Sequence, residues 1–356
     1  MKFIALFCFL VSFGLTKPDR QVCIWAKIQT MTTPESIDSL VNFAKTNQYT
    51  VIFAQVRSRG DAAYLSKFVP KYNRIQNSFD PLDYLIKKGH SAGIQIHAWL
   101  NMYVVWTRYN TPIPSTHIYK KTDWLDHDFS GLKGNKNIYL SPIHPEVNNY
   151  LLGVIDELVN HYDVDGIHLD YIRFKDDNYG LNTEGLKAFG DIYMLNISDE
   201  NLKMGIPQKH KSKWNKFKKE SVTSLIKRIR RILNWHNPEI CLSVAVKPNL
   251  IEAKSRFSQD WGLWLRHGLI DYAVPMNYYA EKEFFIRDLK LMKSRLPEPI
   301  HDKMIIGVGC YNQGSESVSD KVKIVLQERF GGVSFFAYDT HKHNPAWFDK
   351  AHKTLK

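Results

Sequence analysis

Cysteine is scarce in this sequence: the 356 residues contain four, Cys8, Cys23, Cys241 and Cys310. They lie far apart along the chain, so no group of them has the spacing of metal ligands. Neither a His-Glu-x-x-His sequence nor a glycine-rich phosphate loop is present. The sequence therefore predicts no metal and no cofactor, and it argues against a metal-dependent deacetylase. The three cysteines after Cys8 are expected to be mostly buried thiols, with one disulfide as the alternative.

Long apolar runs are also few. One of them occupies residues 3–15, after Lys2 and before small residues at a candidate cleavage position. This pattern predicts a secretory signal peptide over residues 1–16, since the run is too short for a membrane span. An uncleaved anchor is the alternative. No linker rich in Gly, Ser or Pro divides residues 17–356, so we expect one exported domain, periplasmic or secreted.

Acidic residues are fewer than basic ones, which gives a formal net charge of +12. Much of the excess lies between residues 209 and 231, where ten Lys and Arg residues accompany a single Glu. Such a run is typical of the solvated face of a helix. The alternative is electrostatic association with an anionic envelope polymer or a membrane surface. No nucleic-acid recognition motif is present, so nucleic acid is not an expected partner.

Residues 164–174 predict a buried strand that ends in a carboxylate. Two faces alternate along it, Ile167, Leu169 and Tyr171 on one and Gly166, His168 and Asp170 on the other. Apolar residues at helical spacing precede it from Pro145 onward. A helix followed by a strand favours a parallel sheet, and ligands bind at the carboxyl ends of such strands. Asp170 would lie at that end; alternatively it caps a turn or pairs with Arg173.

The same alternation of strand and helix recurs along the whole chain. It predicts an α/β protein with eight strands at residues 22–29, 51–57, 94–101, 164–174, 240–247, 270–278, 304–309 and 332–338. Eight such units close a single (β/α)8 TIM barrel, here with long βα loops at 102–143 and 175–212. In the third strand Gln95, His97, Trp99 and Asn101 form a row that should point into the barrel.

Several segments in the same order resemble one family. They are QVRSRGDA at 55–62, IHAWLN at 96–101, YLSP at 139–142, PEV at 145–147, the strand at 164–174, and GLIDY at 268–272 with Pro275. The chain resembles glycosyl-hydrolase-like family ten, a group of (β/α)8 proteins. The resemblance implies hydrolysis of a glycosidic bond in a cell-envelope glycan, with peptidoglycan strands as the known case. One departure is Met276, where the family commonly has Gln; Met cannot hydrogen-bond a hydroxyl as Gln can.

Glycoside hydrolysis needs two carboxyl groups that flank the scissile bond. Asp170 is the first candidate; Asp260, beside Trp261, is preferred slightly over Asp61 as the second. Groups expected to bind the polysaccharide are Gln55, Arg57, His97, Trp99, Asn101, Arg173, Lys247, Trp261 and Tyr278. Arg57 could instead pair with Asp61, and His97 and Asn101 could be polar groups of the core. The alternative function is a non-catalytic glycan-binding barrel.

Overall fold

We describe a computed structural model of the chain over residues 20–107, 114–128, 137–196 and 206–356. The predicted signal peptide at 1–16 lies outside these described residues. Ten strands are described: β1 Gln21–Ala26, β2 Val51–Arg57, β3 Gln95–Asn101, β4 Val104–Thr107, β5 Asn137–Tyr139, β6 Gly166–Asp170, β7 Cys241–Val246, β8 Tyr272–Pro275, β9 Ile305–Gly309 and β10 Gly332–Phe336.

The α-helices of the described residues follow most of these strands. They are α1 Pro34–Thr46, α2 Pro81–Ser91, α3 Pro145–His161, α4 Thr183–Tyr193, α5 Lys211–His236, α6 Leu250–Arg256, α7 Trp261–Arg266, α8 Lys282–Arg295, α9 Glu298–His301, α10 Ser315–Gln327, α11 Tyr338–His341 and α12 Asp349–Leu355. Local sequence explains the start of α1, where Thr33 accepts a hydrogen bond from Ser36 N and Pro34 takes the first helical position.

Eight parallel strands form one sheet in the order β8-β7-β6-β3-β2-β1-β10-β9. Isolated parallel bridges from Ala273 to Met304 and from Met276 to Gly307 connect β8 to β9. These bridges join the two ends of the sheet, so the predicted eight-stranded barrel is confirmed. The loop after β3 contains a feature that the sequence did not predict, a small antiparallel sheet of β4 and β5.

The two faces of β3 separate as predicted. Ile96, Ala98 and Leu100 belong to the core between the strands and the helices, whereas Trp99 belongs to a second cluster inside the barrel. The ring of His168 stacks on Phe53 with the ring centroids 4.2 Å apart. The interior of the barrel is therefore packed with aromatic side chains.

The basic segment forms helix α5, which buries one apolar face from Trp214 to Leu233. The helix is as predicted, and its Lys and Arg side chains mostly lie on the opposite, solvent-facing side. No helix among residues 20–107, 114–128, 137–196 and 206–356 combines the length and apolarity that crossing a bilayer requires. In these ranges Cys23, Cys241 and Cys310 are free thiols.

Candidate active site

A cavity of about 540 Å³ opens at the carboxyl ends of the barrel strands. We call it the mouth cavity, and its volume lies in the range of small-ligand sites. Its wall includes Trp25, Asp170, Tyr171, Arg173, Lys247, Asn249, Glu252, Met276, Tyr278 and Phe336. Four of the residues singled out from the sequence therefore share this cavity: Asp170, Arg173, Lys247 and Tyr278.

Asp170 is the last residue of β6 and is 5% exposed. Burial raises the pKa of its carboxyl group from 3.8 to about 6, against the opposing effects of Arg173, the Tyr171 N–H, Trp99 and Lys247. Tyr171 N donates to Asp170 Oδ1 over 2.6 Å. To do so Tyr171 adopts a left-handed conformation with φ 52°, which side chains other than Gly rarely take and which often marks a functional site. Asp170 is thus held as a carboxyl group that can carry a proton near neutral pH.

Two cationic side chains lie close to this carboxyl group. Arg173 is buried, with 7% of its surface exposed. The pKa of Lys247 is lowered first by burial and next by the positive charge of Arg173. Both cations pack over the ring of Phe257, at 5.4 Å for the Arg173 guanidinium carbon and 4.8 Å for Lys247 Nζ. Neither forms an ion pair within 4.0 Å with any described residue. They remain available to hydroxyl or acidic groups of a ligand.

Three buried polar atoms in the wall of the mouth cavity have no hydrogen-bond partner among the described residues. They are Trp25 Nε1, Arg173 Nε and Tyr278 Oη. Buried donors are nearly always satisfied in folded proteins, since an unpaired one costs about 1–3 kcal/mol. All three donors belong to residues that line the cavity beside Asp170.

A second carboxylate in the wall is Glu252, in the first turn of α6. Its Oε1 lies 3.0 Å from Arg256 NH1, and Asn249 Oδ1 accepts from its N–H over 3.1 Å. The glutamate side chain is 45% exposed, whereas Asp170 is buried. The cavity therefore offers two carboxyl groups in different environments.

The other two predicted acids lie elsewhere. Asp260 lines a separate cavity, where its Oδ2 is 2.9 Å from Lys254 Nζ. Asp61 lies in the loop after β2, where it accepts from Arg59 N over 3.1 Å and pairs with the Arg59 guanidinium at 3.7 Å. The structure does not bring either of them into the wall of the mouth cavity, so their catalytic roles stay predictions with no support from placement.

Arg57 and Asn101 form part of the barrel framework. Arg57 is fully buried and donates to the carbonyls of Asn101 and Met102; its neighbour Arg59, not Arg57, pairs with Asp61. Asn101 Oδ1 accepts from Trp99 Nε1 over 3.1 Å. Trp99 thus lies just below the mouth cavity.

The remaining predicted residues are also buried outside the wall of the mouth cavity. Gln55 accepts from Ile28 N over 3.3 Å, and Trp261 Nε1 donates to Lys247 O over 3.0 Å. His97 lies deep in the barrel and packs closely against Gly166. A Cβ atom added at Gly166 would lie 2.6 Å from the imidazole ring of His97. Burial lowers the pKa of His97 to about 4, so it is a neutral core group. Gln55, Trp261 and His97 therefore pack behind the residues that line the mouth cavity and do not line it themselves.

Trp25 and Glu252 are site residues that the sequence did not single out as ligands or catalysts. The pattern of β1 makes Trp25 an inward residue, but only the closed barrel shows that its Nε1 lacks a partner. For Glu252 the available signal was its place in the segment after β7, together with the capping residue Asn249. Within the described ranges, no group of three His, Cys, Asp or Glu side chains is arranged to hold a metal ion.

Comparison with known proteins agrees with this fold. A model of the family described as Glycosyl hydrolase-like 10 matches residues 16–323. The chain belongs to this family. The glycosyl hydrolase DigH of Escherichia coli K12 is 23% identical over 314 residues, which cover 79% of this chain and 66% of DigH. The glycosyl hydrolase YngK of Bacillus subtilis is 22% identical over 64% of this chain and 46% of its own length. This family member thus spans two thirds or less of these relatives.

Among solved structures, the PgaB (BpsB) glycoside hydrolase domain of Bordetella bronchiseptica superposes with a TM-score of 0.70. The match covers 95% of this chain and 99% of that domain at 14% identity. At this identity the likeness shows the fold alone, a glycoside-hydrolase-like barrel. The predicted family and fold class are both confirmed.

Proposed function

We propose that this member of the family hydrolyses glycosidic bonds of a cell-envelope or extracellular polysaccharide, with peptidoglycan-type glycan strands as the favoured substrate. The observation that carries the proposal is the pair of carboxyl groups, Asp170 and Glu252, in the wall of one open cavity. The names of DigH, YngK and PgaB as glycosyl or glycoside hydrolases support the same chemistry. The predicted signal peptide and the nature of the substrate favour an exported protein.

In the proposed reaction Asp170 is the general acid. Its pKa of about 6 lets it hold a proton at mildly acidic pH and donate it to the glycosidic oxygen as the bond breaks. Glu252 is the second carboxylate, which either attacks the sugar or activates a water molecule. The hydroxyl or acidic groups of the sugars are bound by Trp25, Arg173, Lys247 and Tyr278. The flat faces of the aromatic rings pack against the sugar rings.

The test is hydrolysis by the purified mature chain. Peptidoglycan glycan strands and neutral chito-oligosaccharides are incubated with the protein, and new reducing ends are measured. We expect the wild type to release them, and Asp170→Asn and Glu252→Gln to lose at least about a hundredfold in rate. Asp191→Asn, an exposed residue of α4, is the matched control and should keep full activity.

The outcomes separate the proposal from its rivals. Loss of activity in Asp260→Asn or Asp61→Asn, but not in Glu252→Gln, would reassign the second carboxylate. Binding of the strands without any release of reducing ends would favour the non-catalytic glycan-binding barrel.

A further inference from the structure

A second cavity, of about 480 Å³, lies against α5, α6 and α7. We call it the basic cavity because its wall contains four cationic side chains, Lys219, Lys254, Arg266 and Arg295. One carboxylate, Asp260, lies among them and pairs with Lys254 at 2.9 Å. The wall therefore carries an excess of three positive charges.

The cations other than Lys254 are uncompensated. Lys219, Arg266 and Arg295 form no ion pair within 4.0 Å in the part of the chain that the structure describes. Cations of like charge around one hollow repel each other, and a bound anion removes that repulsion. Because two of the three are arginines, whose planar groups match carboxylate and phosphate oxygens, the cavity favours an oxyanion.

The basic cavity and the mouth cavity both border a third hollow along α6. A shallower depression shares Asn249 and Glu252 with the mouth cavity and shares Ile251 and Ser255 with the basic cavity. All four residues lie on α6 or at its start. Since α6 has seven residues, it is about 10 Å long, which a few linked sugars can span. A single polysaccharide chain can thus occupy all three hollows.

We propose that the basic cavity binds a carboxylate or phosphate group carried by the same polysaccharide, a few sugars away from the bond held at Asp170. This rests on the proposed function and narrows its substrate to an acidic polymer longer than the mouth cavity. A neutral glycan, or one too short to cross α6, leaves the basic cavity empty. The cavity thereby selects for chain length and for charge, with no part in the bond cleavage itself.

The experiment compares two double variants of equal charge. Arg266→Gln with Arg295→Gln removes two cations from the basic cavity. Lys227→Gln with Arg231→Gln removes two exposed cations of α5 that lie outside its wall. The probes are glycan strands stripped of their peptides, which carry free carboxylates; polyphosphate; and chito-oligosaccharides of matched length, which are neutral. Affinity is measured by calorimetry at two salt concentrations, and reducing ends are measured in parallel.

We expect the basic-cavity variant to lose about tenfold or more in affinity for the carboxylated strands or for polyphosphate, with a weaker dependence on salt. Its binding and hydrolysis of chito-oligosaccharides should match the wild type. The preferred probe identifies the oxyanion as carboxylate or phosphate. Equal losses in both double variants, or none in either, would overturn the proposal. A chain that binds acidic strands through Arg266 and Arg295 but cleaves nothing would refute only the proposed hydrolysis.

Discussion

Replacing Asp170 by asparagine removes a carboxyl group whose ionised form the barrel disfavours. Burial raises its pKa from 3.8 to about 6 in the folded protein, whereas the unfolded chain releases this proton near the ordinary value. Between these two values the folded state binds more protons than the unfolded state. The contribution of Asp170 to stability is therefore fully present below about pH 4 and is lost as the pH rises through about 6.

The size of this loss follows from the two pKa values. A difference of about two pKa units corresponds to about 3 kcal/mol in the free energy of unfolding once the group is fully ionised, and to roughly half of that at pH 5. Asparagine has a similar shape and no charge to desolvate. The difference in unfolding free energy between Asp170→Asn and the wild type should therefore move in favour of the variant by about 3 kcal/mol between pH 4 and pH 7.5.

Urea unfolding, followed by tryptophan fluorescence at pH 5 and pH 7.5 and equal ionic strength, measures this effect. The difference in unfolding free energy between the two proteins should shift in favour of Asp170→Asn by roughly half of the full effect between the two pH values, while hydrolysis is lost. Asp191→Asn controls for the loss of a charge and should show no such shift. A difference between the two proteins that is the same at both pH values, or one that shifts in favour of the wild type as the pH rises, would refute the assignment of Asp170 as a buried proton carrier.

Three further outcomes are expected for hydrolysis. The kcat/KM of the wild type should fall about tenfold per pH unit above about pH 6, because the pKa of Asp170 is near 6; a flat profile from pH 6 to 8 would contradict its role as acid. Glu252→Gln should lose at least about a hundredfold in kcat, and Asp260→Asn less than threefold; the reverse order would reassign the second carboxylate. Met276→Gln adds an amide to the wall of the mouth cavity. One new hydrogen bond to a substrate hydroxyl should lower KM about fivefold, and an unchanged KM would show that no substrate hydroxyl lies beside residue 276.

The regular elements were predictable because local signals and the barrel agree. The bounds of β2, from Val51 to Arg57, match the predicted ones, and β9, Ile305–Gly309, begins one residue after the predicted start. Thr33 and Pro34 fixed the start of α1. Asp170 could be placed because the last residue of a parallel strand in a barrel lies at the ligand-binding end whatever the loops do.

The placement of the loop acids could not be predicted from the sequence. Glu252 and Asp260 lie eight residues apart, in one segment between β7 and β8. Asn249 caps α6 and turns its first residues toward the mouth cavity, whereas the chain beyond α6 turns Asp260 toward Lys254. This placement depends on tertiary packing, so the sequence, which favoured Asp260 and did not name Glu252, could not show which acid lines the mouth cavity.

The energetics of Asp170 also bear on why an acid stands at the end of β6. A carboxyl group whose ionisation costs the fold about 3 kcal/mol at neutral pH is not explained by stability, because asparagine could accept the same Tyr171 N–H bond without that cost. The proposed role as proton donor would explain it, since the burial that destabilises the anion also keeps the proton available. Glu252 lies in the opposite environment, half exposed and beside Arg256. Two carboxyl groups in such different surroundings, in one cavity, suit the proposed division between a proton donor and a second carboxylate.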